Sequence, residues 1–296
     1  MLKAGFIGLG IMGRPMSKNL IKAGVELWGN DLNKEAVADV VAAGGKEATQ
    51  AEIGANCDVI ITILPNGEIV KGVLFGENGV FSTIKPGTLV CDMSSVTATD
   101  SHYCADKLAE KGCAFLDAPV SGGEPGAING TLAIMVGGKQ EDFDRMKPYF
   151  DILGNSAVLI GPTGSGSITK LVNQAIVNLN IATVSEAFVL AAKAGADPEK
   201  VYNAICGGLA GSQVMHDKIP MIINRNFKPG GKISINHKDI KNVLATAHEL
   251  DVPMPLTAQL FEIQQAIKVA GGMNDDHCGY VKYFERLAGV EVKKLS

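Results

Sequence analysis

The sequence predicts an α/β domain followed by an all-α domain, and three observations support this prediction. Short apolar runs alternate with longer amphipathic ones up to about residue 160, which is typical of βαβ units around a largely parallel sheet. The densest cluster of Gly, Ser and Pro follows at 161–167 and marks a natural boundary. Beyond it only helical patterns remain. The predicted domains are therefore 1–162 and 163–296.

Seven strands are predicted in the first domain, because each run is short, mostly rich in β-branched residues, and bounded by Gly, Pro or Asp. They cover 3–8, 25–31, 58–64, 88–92, 114–117, 131–136 and 157–160. Helical patterns lie between them, for example at 11–23, 34–43 and 98–111. In the second domain a long helix is predicted at 168–194, with further helices near 198–206, 236–250, 255–270 and 277–288.

The composition of the 296 residues is that of a well-packed globular protein, with 46% hydrophobic and 20% charged residues. A net charge of −4 gives no electrostatic reason to expect nucleic acid or an anionic membrane as partner. No apolar run approaches the roughly 20 residues of a membrane span, and no export signal is visible. The six cysteines lack CxxC spacing and the five histidines lack ligand spacing. We therefore expect reduced thiols, a cytoplasmic location and no metal site.

The segment GLGIMG at 8–13 directly follows an apolar strand pattern and opens a helical one. In a dinucleotide-binding βαβ unit, the first glycine allows a tight turn and the second lets the pyrophosphate approach the backbone. The third permits close packing of helix on strand. Asp31 ends the second predicted strand, where a carboxylate can accept hydrogen bonds from the adenosine ribose. The sequence thus predicts a Rossmann-type dinucleotide-binding domain rather than ordinary turn glycines, with loop residues Gly8, Leu9, Gly10, Ile11, Met12 and Gly13.

Asp31 also predicts which dinucleotide is used. A carboxylate at this position repels a 2′-phosphate, and no arginine lies within the next several residues to bind one. Lys34 is the nearest cation and could soften this preference. The expected cofactor is NAD, with NADH preferred over NADPH.

Three further stretches resemble those of one enzyme family. They are DAPVSGG at 117–123, GSGSITK at 164–170 and HKD at 237–239. Together with FIGLGIMG at 6–13, they resemble the β-hydroxyacid dehydrogenases, and the match runs nearly from end to end. The resemblance extends to members that reduce tartronate semialdehyde, through GGLAGS at 207–212 and NFKPG at 226–230. It implies NADH-dependent reduction of tartronate semialdehyde to glycerate, and the alternative is oxidation of 3-hydroxyisobutyrate or another β-hydroxy acid.

The resemblance implies that Lys170 is the catalytic lysine. Its ammonium is expected to point toward the inter-domain cleft and to donate a proton to the substrate oxygen as hydride reaches the carbonyl carbon. Asn173 and Gln174 lie on the same helix face, and either amide could orient the substrate or the lysine. Many family members carry Asn four residues after the lysine, where this chain has Gln174. Asn173 is favoured, and the choice between the two stays open.

The small carboxylate-bearing substrate is expected to bind at Ser121, Gly122 and Gly123. Two successive glycines let backbone N–H groups converge on an anion, and the serine hydroxyl adds a donor. A plain strand-to-helix turn is the alternative interpretation of these residues. A catalytically silent dinucleotide-binding scaffold is the alternative for the whole chain, and the presence of Lys170 argues against it.

Four further residues are assigned to the cofactor by the same resemblance. Leu64 and Pro65 are expected on the adenosine side of the dinucleotide, and Ser95 near the nicotinamide ribose. Lys238 is expected to reach a cofactor or substrate oxygen from the helical domain, and its neighbour Asp239 could pair with it or with Lys170. The alternative is a surface pair of Lys238 and Asp239 at the start of a helix. Gly231 departs from the family pattern, because relatives tend to place a bulky apolar residue there.

The helical pattern at 168–194 is apolar over most of its circumference. Such a helix is expected to be buried by neighbouring helices and by a second subunit. We therefore expect a homodimer or homotetramer.

Overall fold

The computed structural model describes residues 2–295, which form two compact units. One unit extends to Leu171 and the other begins at Val172, so the division falls inside a helix. The predicted domain boundary at 162/163 stays a prediction.

The first unit alternates strands and helices along the chain, as the hydrophobic periodicity predicts. The elements are β1 (Lys3–Ile7), α1 (Gly13–Lys22), β2 (Glu26–Asn30), α2 (Lys34–Ala42), β3 (Lys46–Glu47), α3 (Gln50–Asn56), β4 (Val59–Thr62), α4 (Gly67–Phe75), β5 (Leu89–Asp92), α5 (Ala98–Ala109), β6 (Ala114–Asp117), β7 (Val120–Ser121), α6 (Gly123–Asn129), β8 (Leu132–Gly137), α7 (Gln140–Leu153) and β9 (Gly154–Gly161). All seven predicted strands are present. Sequence reasoning missed β3 and β7, because two residues are too short to carry an alternating pattern.

The strands form one sheet in the order β3-β2-β1-β4-β5-β6-β8-β7, with β9 also paired to β8. The strands from β3 across to β6 are parallel, whereas β8 is antiparallel to β6 and β7. The strand order reverses direction between β1 and β4. In open α/β sheets, ligands bind outside the carboxyl ends of the strands at such a switch point.

The central strands are buried on both faces, as expected for a sheet covered by helices. Phe6 and Ile61 belong to one hydrophobic cluster, while their chain neighbours Ile7 and Ile60 belong to the cluster on the opposite face. This alternation follows from the period of two along a strand. It anchors the carboxyl ends of β1 and β4, from which the predicted cofactor loops leave.

The second unit is helical. Helix α8 (Ser165–Lys193) begins in the first unit and continues into the second, where α9 (Pro198–Ile205), α10 (Gln213–Ile223), α11 (Ile233–Glu249), α12 (Pro255–Val269) and α13 (Val281–Ala288) follow. Sequence reasoning missed α10, which contains Pro220, a residue that normally ends a helix. The other predicted helices are present, with bounds shifted by a few residues.

Helix α8 bears on the expectation that no apolar run approaches the length of a membrane span. Among residues 2–295 it alone has the length and hydropathy of a membrane-crossing helix, with mean hydropathy 1.6 over its most apolar stretch. Polar side chains of α8 are nevertheless buried: Gln174 is 8% exposed and Asn178 is fully buried. Both make hydrogen bonds to other segments of the second unit. This pattern is typical of a core helix in a globular protein rather than of a lipid-facing one.

Candidate active site

The glycine-rich loop leaves β1 in a conformation that requires glycine. Gly8 has a φ of +101°, and a Cβ there would lie 2.2 Å from the Ile63 carbonyl oxygen. Gly13 begins α1 so close to the loop that its Cβ would lie 1.8 Å from the Gly8 carbonyl oxygen. These contacts are the tight turn and the close helix–strand packing that the motif predicts.

Gly10 lies at the tip of this loop, and a Cβ there would meet nothing within 4 Å. Packing within the protein therefore does not require glycine at position 10, and the absence of a side chain leaves the backbone open to a ligand. Met12 stands at the N-cap of α1 and provides no side-chain hydrogen bond to the helix. The Arg14 N–H donates to the Gly10 carbonyl at 3.0 Å, and Pro15 has no N–H. The Gly13 N–H and those of the preceding loop can thus bind the phosphates of a dinucleotide, with the help of the helix dipole. The residues present fit a dinucleotide.

Asp31 joins the end of β2 to this loop. One carboxylate oxygen accepts a hydrogen bond from the Leu9 N–H at 2.6 Å, and the other accepts from the Asn33 N–H at 2.7 Å. Each oxygen keeps a further lone pair for a ribose hydroxyl. The next residue, Leu32, is 97% exposed and offers no cation. Lys34, the nearest cation in sequence, is paired with Glu47 at 2.7 Å.

A buried carboxylate connects the loops after β4 and β5. The Leu64 N–H donates to the Ser94 hydroxyl at 2.8 Å, and that hydroxyl donates to Asp92 at 2.5 Å. Thr62 donates to the same Asp92 oxygen at 2.7 Å. This chain of hydrogen bonds holds the segment of Leu64 and Pro65 against the segment of Ser95. Burial raises the pKa of Asp92 to about 6, and hydrogen bonds from Ser94 and Thr62 act in the opposite direction.

Ser121 ends β7, and the two glycines that follow have φ values of +134° and +60°. Residues with a side chain rarely adopt such positive φ values, so the turn itself requires glycine at positions 122 and 123. Both glycines are exposed and Ser121 is half-buried. The backbone geometry alone supports a tight strand-to-helix turn. Their role in binding a carboxylate stays a prediction.

Lys170 lies near the start of α8 and is 8% exposed. The carboxylate of Asp117, at the end of β6, accepts hydrogen bonds from the N–H groups of Gly164 and Ser167, each at 2.7 Å. The Ser167 hydroxyl forms a further hydrogen bond with Ser101 of α5 at 2.9 Å. The first turn of α8 is therefore tied to the sheet. Sequence reasoning quoted Asp117 within its motif but assigned it no role, because its partners lie 47 and 50 residues away.

In the second unit, Gln174 stands between two other candidate residues. Its amide nitrogen donates to Asp239, and its amide oxygen accepts from the Asn173 side chain at 2.9 Å. Asp239 in turn lies 2.9 Å from the Lys238 ammonium. The structure brings Asn173, Gln174, Lys238 and Asp239 into one polar cluster. Both functional atoms of Gln174 are occupied within it.

A buried polar network continues from this cluster into the core of the second unit. Asn178 donates to the Gln174 backbone carbonyl at 2.8 Å and accepts from the Tyr280 hydroxyl at 2.8 Å. Gln264 donates to the same hydroxyl. Sequence reasoning missed these three residues, and the only available signal was a polar residue within an apolar helical pattern.

Gly231, the departure from the family pattern, is not required by its backbone. A Cβ there would lie 3.6 to 3.9 Å from atoms of the His277 ring, which is ordinary van der Waals contact. Its N–H donates to the fully buried Asp276 carboxylate at 3.1 Å. A Cβ would therefore fit at this position, in contact with the His277 ring.

Two family models match nearly the whole chain. The model of the NAD-binding domain of 6-phosphogluconate dehydrogenase matches residues 3–161. The model described as "NAD-binding of NADP-dependent 3-hydroxyisobutyrate dehydrogenase" matches residues 164–284. The two matches meet at the loop that precedes α8.

Individual relatives match along almost their whole length. The 2-hydroxy-3-oxopropionate reductase of Escherichia coli is 41% identical, over 97% of this chain and 98% of the relative. The 2-(hydroxymethyl)glutarate dehydrogenase of Eubacterium barkeri is 38% identical, over 98% and 97%. The structure of Mycobacterium tuberculosis 3-hydroxyisobutyrate dehydrogenase with L-serine has a TM-score of 0.89 and 30% identity, over 95% of this chain and 98% of that one. These names agree on the type of reaction and differ in the hydroxy acid.

Proposed function

Because this chain belongs to the β-hydroxyacid dehydrogenase family, we propose that it reduces tartronate semialdehyde (2-hydroxy-3-oxopropionate) to glycerate with NADH. The observation that carries this proposal is the 41% identity to a 2-hydroxy-3-oxopropionate reductase along nearly the whole of both chains. The second candidate is oxidation of 3-hydroxyisobutyrate or another β-hydroxy acid. The relative that was solved with L-serine, itself a β-hydroxy acid, supports that candidate.

Lys170 is the proposed proton donor. Bound NADH supplies the hydride, which forms the new C–H bond at the aldehyde carbon. Negative charge then develops on the aldehyde oxygen, and the Lys170 ammonium stabilises that charge and donates its proton to the oxygen. The neutral amine regains a proton from solvent before the next turnover. In the opposite direction the neutral amine accepts the proton from the alcohol.

The substrate carboxylate is proposed to bind the backbone N–H groups of Gly122 and Gly123, with the Ser121 hydroxyl as a further donor. Their positive φ values leave this backbone free of side chains, which supports close approach of an anion. A carboxylate held there determines which carbon faces the nicotinamide, so the site contributes to positioning as well as affinity.

Asn173, rather than Gln174, is the proposed substrate amide. The Gln174 side chain already donates to Asp239 and accepts from Asn173. Asn173 is half-buried, and its side chain donates one hydrogen bond, to Gln174. Gln174 then acts as the residue that holds Asn173 and Asp239, while Lys238 is proposed to reach a cofactor oxygen.

NADH is the proposed cofactor in preference to NADPH. The Asp31 carboxylate, held by Leu9 and Asn33, repels a 2′-phosphate, and the exposed Leu32 beside it supplies no positive charge. Lys34, the nearest cation in sequence, is paired with Glu47, which reduces its ability to offset this repulsion.

A cytoplasmic homodimer or homotetramer is also proposed. Helix α8 carries apolar side chains that remain exposed, among them Val172 at 55%, Ile176 at 61% and Leu190 at 73%. A second copy of the chain would remove such surface from water.

The proposal is tested with an NADH-oxidation assay over tartronate semialdehyde, methylmalonate semialdehyde, succinic semialdehyde and glyoxylate. Tartronate semialdehyde should give the highest kcat/KM, and NADPH should give a lower value than NADH. Lys170→Ala should lower kcat by about 100-fold or more and leave the Kd for NADH within about twofold.

The matched control is Lys200→Ala, which removes an exposed lysine of α9. It should leave kcat unchanged. Undiminished turnover by Lys170→Ala would eliminate the proposed proton donor. A higher kcat/KM for methylmalonate semialdehyde, the aldehyde of 3-hydroxyisobutyrate, would favour the second candidate.

A further inference from the structure

Helix α8 starts without a capping side chain of its own. Its first residue is Ser165, so Gly164 occupies the N-cap position and has no side chain to offer. Gly164 has a φ of +90°, and a Cβ there would lie 2.9 Å from His102. The residue type that normally caps a helix is therefore excluded at this position.

Asp117 supplies the cap from another element. A capping side chain accepts a hydrogen bond from the N–H of the second or third helical residue. Ser167 is the third residue of α8, and its N–H donates to one Asp117 oxygen, while the Gly164 N–H donates to the other. The two donors use separate oxygens of the carboxylate. A carboxylate offers both, whereas an Asn or Ser side chain offers one acceptor atom.

Two glycines allow the first turn of α8 to pack closely against the sheet. A Cβ on Gly166 would lie 2.3 Å from the Met135 carbonyl oxygen and 2.4 Å from the Asp117 carbonyl oxygen. A Cβ on Gly137 would lie 2.5 Å from the Asp117 carboxylate. No methyl group fits at either place. The first turn of α8 therefore cannot shift toward the sheet, and the cap prevents it from moving away.

Asp117 is only 1% exposed, and each of its carboxylate oxygens accepts a hydrogen bond from a backbone N–H. Burial raises the pKa of its carboxyl group, and the hydrogen bonds from Ser167 and Gly164 oppose that shift. Burial of a carboxylate without a cation is costly. The amide hydrogen bonds and the positive end of the α8 dipole offset that cost.

We propose that Asp117 is the positioning residue for Lys170, a role that rests on the proposed function. Lys170 follows Ser167 by three residues, which is less than one turn of helix. A cap that fixes the Ser167 N–H therefore fixes the axial position and rotation of the turn that carries the ammonium. Displacement of a catalytic group by about 1 Å can lower a rate by roughly 100-fold.

Asp117→Asn tests this role, since it preserves shape and removes one acceptor. The variant should lower kcat at least tenfold with tartronate semialdehyde and leave the Kd for NADH within twofold. The double variant Asp117→Asn with Lys170→Ala should show the same kcat as Lys170→Ala alone, because a residue that acts through Lys170 has no effect once the ammonium is gone. The matched control is Asp142→Asn in α7, another buried carboxylate, which should retain the native kcat.

Two results would overturn the proposal. One is a native kcat for Asp117→Asn; the other is a further loss in the double variant equal to the loss in the single one. Native activity of the single variant Lys170→Ala would instead refute the proposed proton donor. That result does not depend on any Asp117 variant.

Ser101→Ala covers the case in which Asp117→Asn fails to fold. This mild change removes the hydrogen bond from α5 to the Ser167 hydroxyl. It should lower kcat two- to fivefold, and the effect should disappear in the Lys170→Ala background. An unchanged kcat for Ser101→Ala would then count against the tether of this turn.

Discussion

At the scale of single residues, the candidate site uses carboxylates at the ends of strands as connectors. Asp31 joins β2 to the glycine loop, Asp92 joins the loops after β4 and β5, and Asp117 caps α8. Each lies at or directly after the end of a parallel strand, where backbone N–H groups of the following loops converge. A carboxylate suits this place because it accepts several hydrogen bonds at once.

Asp92 gives the stability of the protein a specific pH dependence. Its native pKa of about 6 lies above the value near 3.9 of an unfolded chain. The fold therefore favours the protonated form, and this contribution to the free energy of unfolding is present below about pH 4 and is lost as the pH rises through about 6. Asp92→Asn stays neutral throughout. Relative to the native protein, it should gain on the order of 1 to 3 kcal/mol between pH 4 and pH 7.

Denaturant unfolding at several pH values measures this difference. The exposed Asp144, which accepts a hydrogen bond from Gln140 at the surface of α7, provides the control. Asp144→Asn should keep the pH dependence of the native protein. If native protein and Asp92→Asn show parallel profiles, Asp92 is ionised throughout this pH range.

At the scale of elements, α8 combines an apolar composition with a polar interior contact. Its Asn178 is fully buried and bonded to Tyr280 from the segment before α13, which also accepts from Gln264 of α12. This arrangement fixes the rotation of α8 about its axis, because only one orientation satisfies the Asn178 side chain. The cluster of Gln174 and Asp239 lies one turn earlier and depends on that rotation.

Removal of the Tyr280 hydroxyl should destabilise the second unit. Tyr280→Phe leaves the Asn178 oxygen and the Gln264 nitrogen without their partner in a buried place, at a cost of about 1 to 3 kcal/mol. Thermal unfolding should show a lower Tm. Tyr283→Phe is the matched control, since the Tyr283 hydroxyl makes no hydrogen bond within residues 2–295. Equal Tm values for the two variants would contradict the importance of this network.

At the scale of the whole molecule, the exposed apolar face of α8 predicts self-association. The mass in solution should be at least twice the 31.0 kDa of one chain. Leu190→Asp places a charge on this face and should shift the mass toward that of a single chain, since an unpaired charge is costly in an apolar contact. Light scattering after size-exclusion chromatography measures the mass of both proteins in solution.

Val41→Asp in α2 is the control for this measurement. It alters an apolar residue of similar type that is 42% exposed and lies far along the chain, in the first unit. This variant should keep the native mass. A native protein that elutes as a single chain would refute the proposed oligomer.

The fold class and the glycine-rich loop follow from the amino-acid order alone. Local patterns carry that information. The alternation of runs predicts the parallel sheet, and Gly8, Gly10 and Gly13 stand in a strand–turn–helix context, where the backbone excludes a side chain at Gly8 and Gly13. Lys170 was located by a motif that is likewise continuous in the chain.

The contacts that hold these residues come from the folded arrangement and leave no trace in the linear order. Asp117 meets Gly164 and Ser167 across 47 and 50 residues, and Asn178 meets Tyr280 across 102. The structure likewise shows that the Gln174 side chain is hydrogen-bonded to Asp239 and Asn173. Hydrogen bonds of this kind depend on the sheet order and the helix rotation, and neither leaves a periodic signal in one chain.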